Sequence, residues 1–175
     1  MKRSVFLIGF MGSGKTYWGR RLAASLDCTF HDLDALIVAD AGKTIPEIFA
    51  EKGEAGFREM ERRQLHELLE QTPAAVVSTG GGTPCFFDNM EQMNARGRTI
   101  YLDIPVKILS QRLEKEMHLR PLLAGLTPDT LPGFIENMLE KRAPFYQKAH
   151  QIPEWSGVEV EYTARLLQAA TVNNS

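Results

Sequence analysis

The segment that most constrains the fold of this chain is a glycine-rich loop near its beginning, residues 9–16, with the sequence GFMGSGKT. It matches the pattern G-x-x-x-x-G-K-[ST] at every fixed position. The apolar run VFLI at 5–8 precedes the loop, and Trp18, Leu22 and Leu26 follow it at four-residue spacing. A buried strand, this loop and an amphipathic helix in that order predict an α/β fold that holds a nucleotide phosphate.

The chemistry of the loop follows from its residue types. Glycines let the backbone wrap closely around phosphate oxygens with N–H groups pointing inward, and the following helix adds the positive end of its dipole. Lys15 is predicted to reach the β- and γ-phosphates, and the Thr16 hydroxyl is predicted to coordinate Mg²⁺. A chance glycine-rich turn is the alternative, which the matching context disfavours.

Short apolar runs alternate with amphipathic stretches along the whole chain. The pattern predicts strands at 5–8, 28–30, 74–77 and 100–102, and helices at 17–26, 45–50, 57–69, 162–170 and around 109–117 and 134–139. This alternation predicts a parallel sheet covered by helices on both faces, with ligands at the carboxyl ends of its strands. No repeat or long linker divides the 175 residues, so we predict a single domain spanning 1–175.

The charge balance limits the partners. The formal net charge is −2 and the isoelectric point is about 6.1, so no overall field attracts nucleic acid or an anionic membrane. Cys28 and Cys85 indicate neither a disulfide framework nor a metal site. The run at 5–8 is too short to span a membrane. We therefore predict no nucleic-acid partner, no membrane partner and a cytoplasmic location.

Other classes of nucleotide-binding protein fit the sequence less well. A GTPase needs the base-reading N-K-x-D and the switch D-x-x-G, and neither occurs. Motor and AAA-type ATPases normally need a longer chain. A small-metabolite kinase needs a second pocket and a mobile cover. Residues 115–129 contain Pro121, Gly125 and Arg120 with few periodic apolar positions, which is typical of a lid. A nucleotide-gated binding module without turnover is the remaining alternative.

Two carboxylates follow the second predicted strand. Asp32 and Asp34 are separated by one residue, so both can face one crevice. One could hold Mg²⁺ through water, and the other could accept or orient the proton of an attacking hydroxyl. A solvated acidic loop or a helix cap is the alternative. Asp103, after the strand at 100–102, competes for the metal role.

Basic residues and glycines predict a second, anion-binding pocket. Glu61 interrupts an apolar helical stripe, and Arg58, three residues earlier, can reach it. Arg142 continues another apolar stripe, and an inward guanidinium needs a partner or an anion. Three glycines at 80–82 follow a predicted strand and leave backbone N–H groups open to a ligand. The alternatives are a surface ion pair, an arginine that snorkels to solvent and a flexible turn.

Six motifs in order make the chain resemble the shikimate kinases over nearly its whole length. They are the loop at 9–16, F-x-D-x-D at 30–34, G-E-x-x-F-R at 53–58, G-G-G at 80–82, R-P-L-L at 120–123 and R-x-x-x-Y-x-x-A at 142–149. The resemblance implies ATP- and Mg²⁺-dependent phosphorylation of the shikimate 3-hydroxyl, in aromatic amino-acid biosynthesis. A kinase for another small acid, such as gluconate, is the alternative. The implied fold is a P-loop kinase three-layer α/β sandwich with a five-stranded parallel sheet and a mobile lid, usually monomeric.

The same resemblance implies roles for individual residues. Asp34 binds the ring hydroxyls and is the favoured base, Arg120 closes from the lid onto the phosphates, and Lys15 completes the catalytic set. The implied nucleotide contacts are Gly12, Ser13, Gly14, Lys15, Thr16, Tyr17 and Arg120. The implied substrate contacts are Asp34, Arg58, Gly80, Gly81, Gly82 and Arg142, and the implied metal site is formed by Thr16 and Asp32.

One region departs from the family pattern. Residues 151–161 lack the basic adenine-side loop, so adenine contacts are not assigned there. Arg112 is the remaining candidate for stacking on the base. After the three glycines, Phe86, Phe87 and Met90 are predicted to belong to the core rather than to the substrate pocket.

Overall fold

A computed structural model describes residues 3–72, 74–117 and 121–171. Its strands are β1 Ser4–Ile8, β2 Thr29–Asp32, β3 Ala75–Ser78 and β4 Gly97–Tyr101. Its α-helices are α1 Lys15–Leu26, α2 Leu33–Ala41, α3 Ile45–Gln71, α4 Asn89–Arg96, α5 Val106–Glu114, α6 Leu131–Tyr146 and α7 Glu159–Thr171. The predicted alternation of strands and helices is confirmed.

All four strands run parallel, in the order β2-β3-β1-β4. The prediction of five strands is wrong for the described residues. Where a fifth strand would lie beside β4, Gln151 alone makes a parallel bridge to Ile100. Pro153 follows two residues later, and proline has no backbone N–H to continue a ladder.

The central strands are buried because both faces of the sheet carry helices. Val5 and Leu7 point into one core, which contains Trp18 of α1. Phe6 and Ile8 point into the opposite core, together with buried residues of α2, α3 and α4. Alternate side chains of β1 therefore serve two cores, and the three-layer sandwich is confirmed.

The segments predicted at 45–50 and 57–69 both lie in α3, and the break predicted between them is present, because the backbone at Gly53 is non-helical (φ 66°, ψ −177°). A capping box between Thr44 and Glu47 begins α3. The short helices α2 and α4 were not predicted. Within the described residues, no helix is both long and apolar enough to cross a membrane.

The parallel arrangement brings the functional segments to one edge of the sheet. The loop at 9–16 follows β1, Asp32 ends β2 with Asp34 two residues later, and the three glycines follow β3. Because β1, β2 and β3 are neighbours, their carboxyl ends open into a common crevice.

Candidate functional site

The loop between β1 and α1 has the backbone that its glycines predict. Gly12 and Gly14 have φ angles of 77° and 89°, which side-chain-bearing residues rarely adopt. A Cβ on Gly14 would also lie 3.2 Å from the Trp18 ring. Ser13 is fully buried. The Lys15 ammonium donates to the carbonyls of Gly9 (2.8 Å) and Phe10 (2.9 Å). The lysine side chain therefore folds back over the phosphate loop.

Thr16 and Asp32 meet beside the loop. The Thr16 hydroxyl donates to Asp32 Oδ2 at 2.6 Å. Asp32 Oδ1 accepts from the Ala35 N–H at 3.3 Å and so caps α2. The alternative interpretation of Asp32 as a helix cap is confirmed, and its role in holding Mg²⁺ stays a prediction.

A cavity of about 890 Å³ opens above the loop. Its lining includes every predicted nucleotide contact in the described part of the chain except Ser13: Gly12, Gly14, Lys15, Thr16 and Tyr17. Arg112, Trp155 and Glu159 also line it. Arg112 donates to the Gly12 carbonyl at 2.9 Å and lies over the Trp155 ring at 5.5 Å. Its stacking on a base stays a prediction.

A second cavity of about 380 Å³ lies next to the first. The polar part of its lining is formed by Asp34, Arg58, Glu61, the three glycines and Arg142. The apolar part is formed by Val38, Ile45, Pro46, Phe49, Phe57 and Leu122. Such a cavity fits a small compound that carries both polar and apolar groups.

Arg58 is the most confined of the cations in this cavity. It is 5% exposed and pairs with Glu61 at 3.0 Å and with Glu54 at 3.2 Å. Its Nε is buried and has no hydrogen-bond partner among the described residues. The Phe86 ring packs on the guanidinium at 4.3 Å. The alternative of a surface ion pair is therefore wrong, because the pair is buried.

Glu61 is the buried partner of Arg58. Its side chain is fully buried, and it accepts from the Thr83 hydroxyl at 2.5 Å as well as from Arg58. Burial raises the pKa of Glu61 above its usual value, and the Arg58 guanidinium opposes that effect. Glu61 and Thr83 therefore fix the position of Arg58.

The three glycines are needed because side chains crowd each of their Cα atoms. A Cβ on Gly80 would lie 3.1 Å from Asp34 Oδ1, and one on Gly81 would lie 3.2 Å from the Arg142 guanidinium. A Cβ on Gly82 would lie 2.5 Å from the Arg58 guanidinium. The glycine segment thus marks where the carboxylate and both arginines converge.

Arg142 reaches the cavity from α6. It is 7% exposed, and its guanidinium lies over the Phe10 ring at 5.3 Å. It also donates to the Tyr146 hydroxyl at 3.5 Å, and that hydroxyl donates to the Gly81 carbonyl at 2.5 Å. Burial raises the pKa of Tyr146 to about 12, so its hydroxyl stays a donor at neutral pH. The interpretation of Arg142 as a snorkelling surface residue is wrong.

The two cavities join at residues that line both of them. These are Met11, Asp34, Gly80 and Gly81. Asp34, in the first turn of α2, is the carboxylate at the join. A phosphate held by the loop and a ligand held by the arginines would face each other there.

The remaining predicted residues have different outcomes. Arg120 lies outside the described residues, as does most of the basic part of the predicted lid. Asp103 is exposed and lines neither of these two cavities. Met90 is in the core as predicted, whereas Phe87 is 46% exposed and that prediction is wrong.

Sequence reasoning missed several residues that line or support the cavities, among them Thr83, Trp155 and Glu159. Thr83 supports Glu61, and its position directly after the glycines was the available signal. Trp155 and Glu159 line the cavity above the loop at 9–16, and they come from a segment where no contact was assigned. Their spacing carries no motif, so only the fold places them there.

Known proteins of one family are similar to this chain in sequence and in fold. The family model described as shikimate kinase matches residues 11–169. A shikimate kinase of Parabacteroides distasonis is 52% identical over 149 residues, 85% of each chain. The crystal structure of shikimate kinase from Bacteroides thetaiotaomicron superimposes with a TM-score of 0.87 at 43% identity, covering 97% of this chain and 99% of that one.

Two further solved structures show the difference between a likeness of family and a likeness of fold alone. Shikimate kinase from Acinetobacter baumannii, in complex with shikimate, has a TM-score of 0.86 at 35% identity, over 95% of this chain and 91% of that one. A gluconokinase from Sinorhizobium meliloti has a TM-score of 0.57 at only 16% identity, over 97% and 91% of the two chains, which is a likeness of fold alone. The chain belongs to the shikimate kinase family.

Proposed function

We propose that this kinase transfers the γ-phosphoryl group of ATP to the 3-hydroxyl of shikimate at the join of the two cavities. The observation that carries the proposal is that Asp34, Gly80 and Gly81 line both cavities. Phosphoryl transfer needs the attacking oxygen close to the phosphorus and in line with the leaving group. Because the two cavities share lining residues, an acceptor hydroxyl in one can approach a phosphate in the other without a rearrangement of either cavity.

At the nucleotide end, Lys15 neutralises charge on the β- and γ-phosphates. Lys15 is 8% exposed, and its ammonium already lies against the Gly9 and Phe10 carbonyls, so it needs to exchange those acceptors for phosphate oxygens. Backbone N–H groups of Gly12, Gly14 and the start of α1 complete the cradle.

Thr16 and Asp32 are the residues that would hold Mg²⁺. A hydroxyl and a carboxylate oxygen are the hard ligands this cation prefers, and the two groups are already 2.6 Å apart. The described residues contain no group of three or more histidine, cysteine or acidic side chains that could bind a metal ion. This fits an ion that is bound largely by phosphates and water. When bound, it supplies positive charge to the transferring phosphoryl group.

At the acceptor end, Arg58 and Arg142 bind the shikimate carboxylate, with Glu61 holding Arg58 in place. Two buried guanidiniums favour a planar carboxylate because they can pair with both of its oxygens. Apolar lining residues such as Phe49 and Phe57 pack against the ring. Asp34 takes or orients the proton of the attacking hydroxyl. The shikimate-bound relative supports this class of acceptor.

A cover over the site completes the proposal. Leu122, which follows Arg120, lines the acceptor cavity, and Leu123 is buried in the core. We assign Arg120 to the phosphates and the segment at 115–129 to a lid that excludes water. We also assign the protein a monomeric state, a cytoplasmic location and no nucleic-acid or membrane partner, in keeping with its net charge of −2.

A coupled assay of ADP release from Mg-ATP tests the proposal. Shikimate, gluconate and nucleoside monophosphates are added one at a time, with Lys15→Ala as the matched variant that lacks the phosphate-binding charge. We expect strong turnover with shikimate alone, and none in folded Lys15→Ala. Turnover with a different acceptor would leave the phosphate loop intact and overturn the assignments of Arg58 and Arg142.

A further inference from the structure

The carboxylate of Glu159, the first residue of α7, lines the cavity above the phosphate loop, which we call the nucleotide cavity. Glu159 Oε1 accepts from the Tyr17 hydroxyl and pairs with Arg21 at 2.9 Å. Arg21 also donates to the Tyr17 hydroxyl at 2.9 Å and lies over its ring at 5.0 Å. Two side chains of α1 therefore fix one oxygen of Glu159.

The second oxygen of this carboxylate is open. Glu159 Oε2 makes no hydrogen bond to any residue that the structure describes, and the side chain is 52% exposed. Glu159 lines the same cavity as Lys15 and Thr16. Because an ionised carboxylate only accepts hydrogen bonds, the cavity contains a positioned acceptor whose matching ligand group must be a donor.

A nucleoside triphosphate offers such donors only on its nucleoside. The phosphates, which belong at the loop, carry acceptor oxygens. The ribose carries hydroxyls and adenine carries a 6-amino group. Arg112 and Trp155 offer planar faces in the same cavity, and stacking on such faces is tolerant of base identity. Stacking alone therefore does not select adenine over other bases.

We propose that Glu159 is a nucleoside-binding residue that accepts a hydrogen bond from ATP, from a ribose hydroxyl or from the adenine amino group. This inference rests on the proposed function, because it takes ATP as the ligand of this cavity. Tyr17, predicted as a direct nucleotide contact, becomes a positioning residue together with Arg21. The positive charge of Arg21 offsets the repulsion between Glu159 and the phosphates.

The hydrogen bond from Tyr17 is maintained over the working pH range. The contact with Glu159 raises the pKa of the Tyr17 phenol, so the hydroxyl keeps its proton at neutral pH and above. The same contact ties the start of α7 to the first turn of α1, directly beside the phosphate loop. A nucleoside bound to Glu159 would therefore be held relative to the phosphates.

Steady-state kinetics of Glu159→Ala and Glu159→Gln test the assignment, with Glu161→Ala as the matched control. Glu161 is an exposed residue two positions later on α7 and is not part of the cavity lining. For Glu159→Ala we expect the KM for ATP to rise about three- to tenfold, as for a partly exposed charge-assisted hydrogen bond. The KM for shikimate and kcat stay unchanged. If Glu159→Ala does not fold, Glu159→Gln, which keeps the size and an accepting amide oxygen but loses the charge, should give a smaller rise in the KM for ATP.

Analogues of ATP distinguish whether the donor to Glu159 is a ribose hydroxyl or the adenine amino group. We expect one of 2′-deoxy-ATP, 3′-deoxy-ATP or inosine triphosphate to bind the unmodified protein less tightly than ATP, and to lose that deficit in Glu159→Ala. An unchanged KM for ATP in Glu159→Ala, an equal rise for shikimate, or deficits that persist for every analogue would each overturn the assignment. Failure of the proposed function is distinguishable, because shikimate would then give no turnover in the unmodified protein.

Discussion

Replacing Gly82 with alanine tests the acceptor pocket with a single methyl group. Gly82 has φ −90° and ψ −21°, which alanine adopts without strain, so the effect is steric. The new Cβ would lie 2.5 Å from the Arg58 guanidinium, whereas ordinary contact begins at 3.4 Å. The guanidinium must therefore move by about 0.9 Å, the difference between these distances.

Arg58 cannot move that far and keep its partners. It is 5% exposed and pairs with Glu61 at 3.0 Å and Glu54 at 3.2 Å. A misplacement of about 1 Å can cost about 100-fold in an aligned site. We expect Gly82→Ala to raise the KM for shikimate by about 10- to 100-fold. The KM for ATP should stay unchanged, because Gly82 lines only the acceptor cavity.

Initial rates at saturating ATP with varied shikimate measure this effect, and the reverse titration measures the KM for ATP. Gly133→Ala in α6 is the matched control. A Cβ there meets no described atom within 4 Å, so alanine should stabilise the helix by about 0.5 kcal/mol and leave both KM values unchanged. An unchanged KM for shikimate in folded Gly82→Ala would refute the placement of Arg58 against the glycines.

Three further substitutions probe the surroundings of the site. Arg142→Ala should raise the KM for shikimate by at least about 30-fold in rate assays and leave the KM for ATP unchanged, because a buried charged contact is worth about 2–5 kcal/mol. Tyr146→Phe should lower the free energy of unfolding in urea by about 1–3 kcal/mol, because the Gly81 carbonyl loses its 2.5 Å donor. Burial lowers the pKa of His150, whose ring accepts from the Thr99 N–H at 3.2 Å. Its contribution to stability is thus present above the ordinary pKa of about 6.5 and is lost as pH falls through the lowered value. Thermal melts between pH 7 and pH 5 should show a smaller loss in His150→Gln. A shared rise in both KM values for Arg142→Ala, unchanged unfolding for Tyr146→Phe, or parallel pH profiles for His150→Gln would count against these contacts.

The predictable parts of the fold were those with strong local patterns. The apolar run of β1 and the loop after it required a strand, a turn with positive φ angles and a helix, and all three are present. Tertiary context decided the rest. The helix α2 was not predicted because Leu33, Leu36, Ile37 and Val38 leave no clear polar face. Its signal was the cap at Asp32, which was kept as an alternative.

The fifth strand was predicted, but the sheet of the described residues has four. It was carried over from the family, but Pro153 in this chain stops the ladder after one bridge at Gln151. The pairing of an edge strand depends on a few local residues, so the strand count of a family does not carry over to every member.

The site was predictable where charge interrupted an apolar pattern. Glu61 and Arg142 on apolar stripes required buried partners, and the structure places both in the acceptor cavity. The contact of Glu159 with Tyr17 was not predictable, because it joins residues far apart in the chain without a motif. Arg120 and its role in the lid stay a prediction.

The most direct test of the account is the turnover number of Asp34→Asn with shikimate and Mg-ATP. Asp40→Asn is the control, because Asp40 lies on the same helix and pairs with Arg63 on the surface. If Asp34 acts on the attacking hydroxyl at the join of the cavities, kcat should fall by about 10²- to 10⁴-fold while Asp40→Asn stays unchanged. An unchanged kcat in folded Asp34→Asn would contradict the claim that transfer takes place beside this carboxylate.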